Sequence, residues 1–150
     1  MDMTRVNKLI FGTLIICLSC FVFNCSHPHT NKSKCSGIRD TLLHKFVYKI
    51  VDSAPQPVGG MKTIFKLISK NFKYPPGDAD YTGWVIVAFV IEPNGSIDGQ
   101  RTIYDPSGND HLFSKQLLGI LSTVKWKPGY CSGEAVPVLY TFSLNIDIQE

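Results

Sequence analysis

The residues best equipped for chemistry here are five cysteines and four histidines, and their spacing narrows what they can do. His27, His29 and Cys35 offer three ligands of the kind zinc takes, but a closed site needs a fourth and this stretch supplies none. Solvated linker is the preferred reading, and no metal is expected. His111 stands alone just before an apolar stripe, as a surface or capping residue would. Aspartates and glutamates are scattered singly along predicted loops and strand ends, so neighbours form no acid–base pair. Glycine-rich phosphate loops, GxSxG and HExxH are missing, as is CxxC after Cys25. The sequence thus gives no support to an enzyme and implies no cofactor.

The cysteines read differently once their compartment is considered. Arg5 and Lys8 precede an uncharged run from Leu9 to Phe23, short for a transmembrane helix but suited to the h-region of an export signal. Cys17 and Cys20 fall inside that run. Cys25 follows it directly, in VFNCS, where a bacterial lipoprotein carries its lipidated cysteine. Asn24 is bulkier than the small residue usual before such a cysteine. Cys20, after Ser19, is the alternative, although cleavage there leaves an apolar FVF on the mature chain. An ordinary signal peptide, or an uncleaved anchor with an incidental Cys25, also stays open. Each of these places the chain in the cell envelope; the expectation is a chain membrane-anchored through its signal or a lipid and facing the periplasm, which an ordinary cleaved signal alone would not hold there. Cys35 and Cys131 remain. In an oxidising compartment they either pair or persist as separate thiols.

Around these residues the composition is that of an ordinary globular chain: 150 residues, 44% hydrophobic and 18% charged, enough for one core. Setting aside Arg5, Lys8 and Asp2 leaves 13 basic against 11 acidic residues. No clustered basic footprint marks a nucleic-acid partner. Three segments are expected: an export signal over 1–25, a flexible tether over 26–44, and a folded domain over 45–150. A tether of some twenty residues reaches at most ~70 Å.

KFVYKIVD, from Lys45 to Asp52, has the composition of a short strand. MKTIFKLISKNF then spaces Met61, Ile64, Phe65, Ile68 and Phe72 for the buried stripe of a helix, with Lys62, Lys66 and Lys70 opposite. That lysine stripe suits either solvent or anionic lipid headgroups, and solvent is the preferred reading. Trp84 to Ile91 is apolar on both alternating faces and should be a covered, central strand. Asn94-Gly95 turns it back into a more polar, peripheral strand over Ser96–Tyr104. A second helix follows, capped by Asn109 or Asp110, with Phe113, Leu117, Ile120, Leu121 and Val124 buried. Val136 to Ile146 alternates as a last strand. The expected class is α+β: a small antiparallel sheet with two helices packed on one face.

PQPVGG, a helix, YP, GWVIVAFVIEPNGSI, a second helix, WKPG and a final strand together resemble the C-terminal domain of TonB-like energy transducers, in its bacteroidete form. The likeness covers residues 46–148. It departs from the family at Ser143, where a proline is usual, and in its short tether. The resemblance implies a binding module linked to transmembrane transport, without catalysis. Its last strand would be an open edge that pairs with an extended peptide of an outer-membrane TonB-dependent receptor or other envelope protein. The alternative is an accessory or structural envelope lipoprotein that reuses the fold without energy transduction. A homodimer stays open. Tyr74 and Pro75 match a family pair whose role is structural.

Pro137 sharpens that implication. Proline has no N–H to donate, so it is tolerated where its nitrogen faces no partner strand. Leu139, Thr141, Ser143 and Asn145 would then turn their backbone groups outward. Val136, Val138, Tyr140, Phe142 and Leu144 would bond inward. The expected peptide-binding edge is Val138, Leu139, Tyr140, Thr141, Phe142, Ser143 and Asn145. Phe46 to Val51 is expected to cover this edge around Leu139 to Asn145; packing on the helices, or pairing beyond the hairpin, are the competing placements.

Overall fold

The apolar run that reads as a covered strand does lie inside the sheet. The computed structural model describes residues 34–74 and 81–147. Its main sheet has five strands, in the order β1 (Ser36–Arg39), β2 (Phe46–Ile50), β9 (Val138–Ile146), β4 (Gly83–Ile91) and β5 (Ile97–Tyr104). Between these come β3 (Gln56–Pro57), helix α1 (Met61–Asn71), helix α2 (Leu112–Ser122), β6 (Trp126–Lys127), β7 (Gly129–Cys131) and β8 (Glu134–Val136). The class is α+β. The sheet is mixed rather than purely antiparallel, because β2 runs parallel to β9.

β4 and β9 pair along their whole length, from Gly83 opposite Ile146 to Ile91 opposite Val138. Val85, Val87, Phe89 and Ile91 of β4 meet Phe142 and Ile146 of β9 beneath Ile64 and Ile68 of α1 and Phe113, Leu117, Ile120 and Leu121 of α2. Phe89, Trp126 and Tyr140 form an aromatic triangle with ring centroids 5.1–5.6 Å apart. Buried rings in such edge and tilted arrangements stabilise beyond their area alone. Asn94-Gly95 makes the expected turn. Gly95 has φ +81°, and a Cβ there would strike the Trp126 carbonyl, so glycine is required twice over.

Four expectations need correction. Cys35 to His44 is not tether: β1 pairs antiparallel with β2, Ile38 opposite Val47 and Arg39 opposite Phe46. SGIR has no apolar period because it is an exposed edge strand held from outside its own sequence. Met61 and Phe65 do not join the buried stripe of α1; they are 37% and 55% exposed, because the sheet reaches only the Ile64–Ile68 side.

Asn109 and Asp110 do not cap α2 but form a 3-10 turn before it. The capping groups are Asp105 and Ser107, whose side chains accept from the Ser114 amide (2.6 Å) and the Leu112 amide (2.8 Å). They satisfy two of the amides that a helix start leaves unpaired. Finally, Val136 does not bond toward β4. It belongs to β8, opposite Gly129 in a separate hairpin, and Pro137 is where the chain leaves that hairpin for the main sheet.

The sheet face away from the helices is covered at one end by the turn between β1 and β2. Asp40 is buried there, and its carboxylate takes the Arg101 guanidinium at 2.6 Å and the Leu42 and Leu43 amides at 3.0 Å. The Leu43 amide, and then Arg101 and Leu42, hold the Asp40 carboxyl below its ordinary range against the opposing effect of burial. Lys45 reaches Glu92 at 2.5 Å and Asp98 at 3.6 Å. The Glu92 hydrogen bond raises the Lys45 ammonium above its ordinary range. These contacts fix the turn over Ala88 and Val90.

Candidate functional site

Pro137 sets the geometry of β9. It donates nothing, and its carbonyl accepts from the Tyr48 amide at 2.9 Å, on the side away from β4. Along an extended strand the backbone groups alternate in direction, so those of 139, 141, 143 and 145 point the same way as that carbonyl. The parity inferred from the missing N–H is the parity that this carbonyl bond sets.

β2 covers only the beginning of this edge. Its ladder with β9 has a single register pair, Tyr48 with Val138, and it is parallel. Phe46–Val51 is therefore the neighbour of the last strand, but not along Leu139 to Asn145. The reason lies just after β2. The Asp52 and Ser53 amides donate to Tyr130 O at 3.0 and 3.2 Å, and the Tyr130 amide returns to Ser53 O at 2.9 Å. The Ser132 amide is held by Asp52 Oδ2 at 2.7 Å. This pull toward β7 draws the chain away before it can continue beside β9. Among the described residues, no strand lies beside Thr141–Ile146 on the side away from β4.

Thr141, Ser143 and Asn145 are exposed along this edge. Trp84 lies opposite Asn145, Ile86 opposite Ser143, and Tyr104 opposite Ile86. These cross-strand pairs share the helix-free face. Trp84 and Tyr104 are 53% and 55% exposed, so two aromatic rings sit on open sheet next to the free strand. The sequence reading had Trp84 on a covered strand. Among the described residues, the cover on this face lies at its far end, where the β1–β2 turn reaches Arg101. On the other face Val138, Tyr140 and Phe142 anchor the strand from beneath. Burial raises the Tyr140 hydroxyl above its ordinary range. The edge is thus backed by the core along its other face.

Cys35 and Cys131 form a disulfide, with Cα atoms 6.1 Å apart and a sequence separation of 96. It ties the start of β1 to the β7–β8 hairpin that feeds β9. Asp52 lies beside it, its carboxylate oxygen and the two sulfurs all within 4.8 Å of one another. Because the sulfurs are bonded to each other, neither is the thiolate a metal would take. His27, His29 and Cys25 lie outside the described residues, as does Pro75. Tyr74 is structural: its ring packs on Phe113 and Tyr81, and its hydroxyl accepts from the Tyr81 amide at 2.6 Å. Compared with known proteins, the chain matches no family model and no curated protein.

Proposed function

We propose that this protein is a TonB-like binding module of the cell envelope. It faces the periplasm and pairs an extended peptide of an outer-membrane receptor, or another envelope protein, with the edge of β9. The observation that carries the reading is the outward N–H and C=O of Thr141, Ser143 and Asn145, which have no strand neighbour among the described residues. Each main-chain hydrogen bond adds a net ~0.5–1.5 kcal/mol, whereas association alone costs at least ~4 kcal/mol. A few such bonds therefore give weak binding. Side-chain contacts near Trp84 and Tyr104 must supply the remainder and the selectivity.

Isotope-labelled protein titrated with extended receptor-derived peptides tests this directly. Amide shifts should move at Thr141, Ser143 and Asn145 and stay still on α2. No movement anywhere along Val138 to Asn145 would sink the proposal.

A second reading is favoured by the disulfide. The bond fixes Cys35, so only residues 26–34 are left to link Cys25 to the fold, a reach of at most ~35 Å rather than ~70 Å. That length suits an accessory envelope lipoprotein that binds partners near its own membrane without transducing energy. Receptor-dependent uptake that collapses on deletion, and returns only with the anchored form, would eliminate this second reading.

A further inference from the structure

The helical layer carries an unusual charge pattern. Between residues 58 and 73 the sequence holds Lys62, Lys66, Lys70 and Lys73 and no carboxylate. Between residues 111 and 127 it holds Lys115, Lys125 and Lys127, again with no carboxylate. Glu92, Asp98, Asp40 and Asp105 lie instead on the strands and turns of the sheet. The sheet's acids are partly matched by bases of their own, Arg101 at Asp40 and Lys45 at Glu92, whereas the lysines of these two stretches have no carboxylate within their own segments.

Within the basic layer one shoulder is also apolar. Val58, Met61 and Phe65 are 47%, 37% and 55% exposed. At about 100° per residue, Phe65 falls between the buried Ile64–Ile68 line and the lysines at 62 and 66. Val58 extends the patch off the helix, because its amide donates to Lys125 O at 2.8 Å and so places it beside β6. An apolar stripe flanked by lysines is the pattern of a helix lying in a membrane interface, with rings at the acyl boundary and ammonium groups at the phosphates.

The disulfide gives this patch its orientation. Cys131 stands four positions after Lys127, so the tether joins the fold roughly 13 Å along the chain from the basic patch. With at most ~35 Å of chain between Cys25 and Cys35, a bilayer holding the N-terminal segment stays within reach of that same end. Charge, exposed apolar surface and attachment point agree on one occupant.

We propose that the α1 face, centred on Phe65 with Met61, Val58, Lys62, Lys66 and Lys127, docks on the anionic surface of the bilayer that anchors the chain. The proposal rests on the envelope placement given above but not on strand addition, because the docking groups lie on the helical face and leave the β9 edge free. Docking would hold the domain against one leaflet with its open edge exposed to the periplasm.

The test uses the full chain as isolated from the membrane fraction, reconstituted in nanodiscs of phosphatidylglycerol or of phosphatidylcholine. A water-soluble acylating reagent and mass spectrometry then read the reactivity of each lysine. Lys62, Lys66 and Lys127 should be protected in anionic discs and not in zwitterionic ones, while the exposed Lys49 of β2 reacts equally in both. The substitutions Lys62→Gln, Lys66→Gln and Phe65→Ser are all at exposed positions. Each lysine removed should weaken the anionic preference about fivefold, so the triple variant should return Lys127 to its zwitterionic reactivity. Equal reactivity in the two lipids overturns the proposal, as does protection that persists in phosphatidylcholine, which would mark a contact with a second copy. Failure of the peptide titration would leave this result untouched, so the two readings fail separately.

Discussion

Removing the Cys35–Cys131 bond should cost this domain at least a third of its stability. The bond closes a loop whose ends are separated by 96 in sequence. In the chain-entropy account a loop of that size lowers the entropy of the unfolded chain enough to contribute about 4.7 kcal/mol at 25 °C. Domains of this size are stable by about 5–15 kcal/mol, so the loss is a third of the total or more. At about 4–8 °C per kcal/mol, the midpoint of thermal unfolding should fall by roughly 20–35 °C. The measurement is urea unfolding of the oxidised protein against Cys35→Ser/Cys131→Ser, both at neutral pH. The variant should have a lower midpoint and an equal or greater slope, since its unfolded chain is less constrained. A local readout accompanies the global one. The Tyr48 amide, which donates to Pro137 O, should exchange faster in the variant than amides of β4. A loss below about 1 kcal/mol would refute the loop-closure argument, meaning that the unfolded chain already keeps residues 35 and 131 close. A full loss with unchanged Tyr48 exchange would show that the bond, through β1, does not restrain the single Tyr48–Pro137 contact.

Acid should destabilise the protein through two carboxylates. Hydrogen bonds led by the Leu43 amide lower the Asp40 pKa, while at Asp105 burial pushes up but the Ser107 and Ser114 hydrogen bonds outweigh it. Both folded values lie below the unfolded one, so their stabilisation is complete above about pH 4 and is lost as pH falls through the folded values. Asp40→Asn with Asp105→Asn should flatten the stability-versus-pH slope below pH ~4; an unchanged slope refutes the assignment. Phe89→Ala, at a fully buried ring between Trp126 and Tyr140, should cost about 3–5 kcal/mol in chemical denaturation, whereas Phe65→Ala should stay within about 0.5 kcal/mol. Ser143→Pro removes an N–H that points outward and should cost about 1 kcal/mol or less while weakening peptide binding. Leu144→Pro removes one that points at β4 and should cost about 3 kcal/mol or more. Equal costs for the two prolines would show that the parity of β9 has been assigned the wrong way round.

Local periodicity reached the central elements because their environment is written into their own residues. Trp84 to Ile91 and the Asn94-Gly95 turn announce β4 and its hairpin partner, and the stripe from Phe113 to Val124 announces a buried helix. Pro137 announced the direction of an entire edge, because a missing N–H is a constraint that no environment can restore. What stayed illegible depended on partners distant in sequence. SGIR becomes a strand only because β2 lies beside it and a bond to residue 131 holds its start. Phe65 has the spacing of a buried residue, yet whether it is buried depends on how far the sheet extends beneath α1. Asp105 lies seven positions before α2, too far for a simple capping pattern, and reaches Ser114 through a turn that the sequence reading took for the cap itself.

The disulfide couples two properties that the sequence treats as independent, the length of the free edge and the reach of the domain. Its presence secures β1 and the β7–β8 hairpin, and the Tyr130 contacts at 52–53 then pull β2 off β9 after one register pair. The same bond converts about ten residues of nominal tether into folded structure, halving the extended reach to ~35 Å. If the N-terminal segment is held in a membrane, as proposed above, a folded unit of roughly 115 residues adds a diameter of about 35 Å, and the open edge would stay within ~70 Å of that membrane. On the proposed function, a partner peptide would have to be presented in that layer. Within it, confinement raises the peptide's effective concentration, so that an edge offering only a few main-chain hydrogen bonds can still be occupied. A weak site on a short tether is thus a consistent design, because proximity supplies what the contacts lack. A weak site on a long tether would seldom be filled.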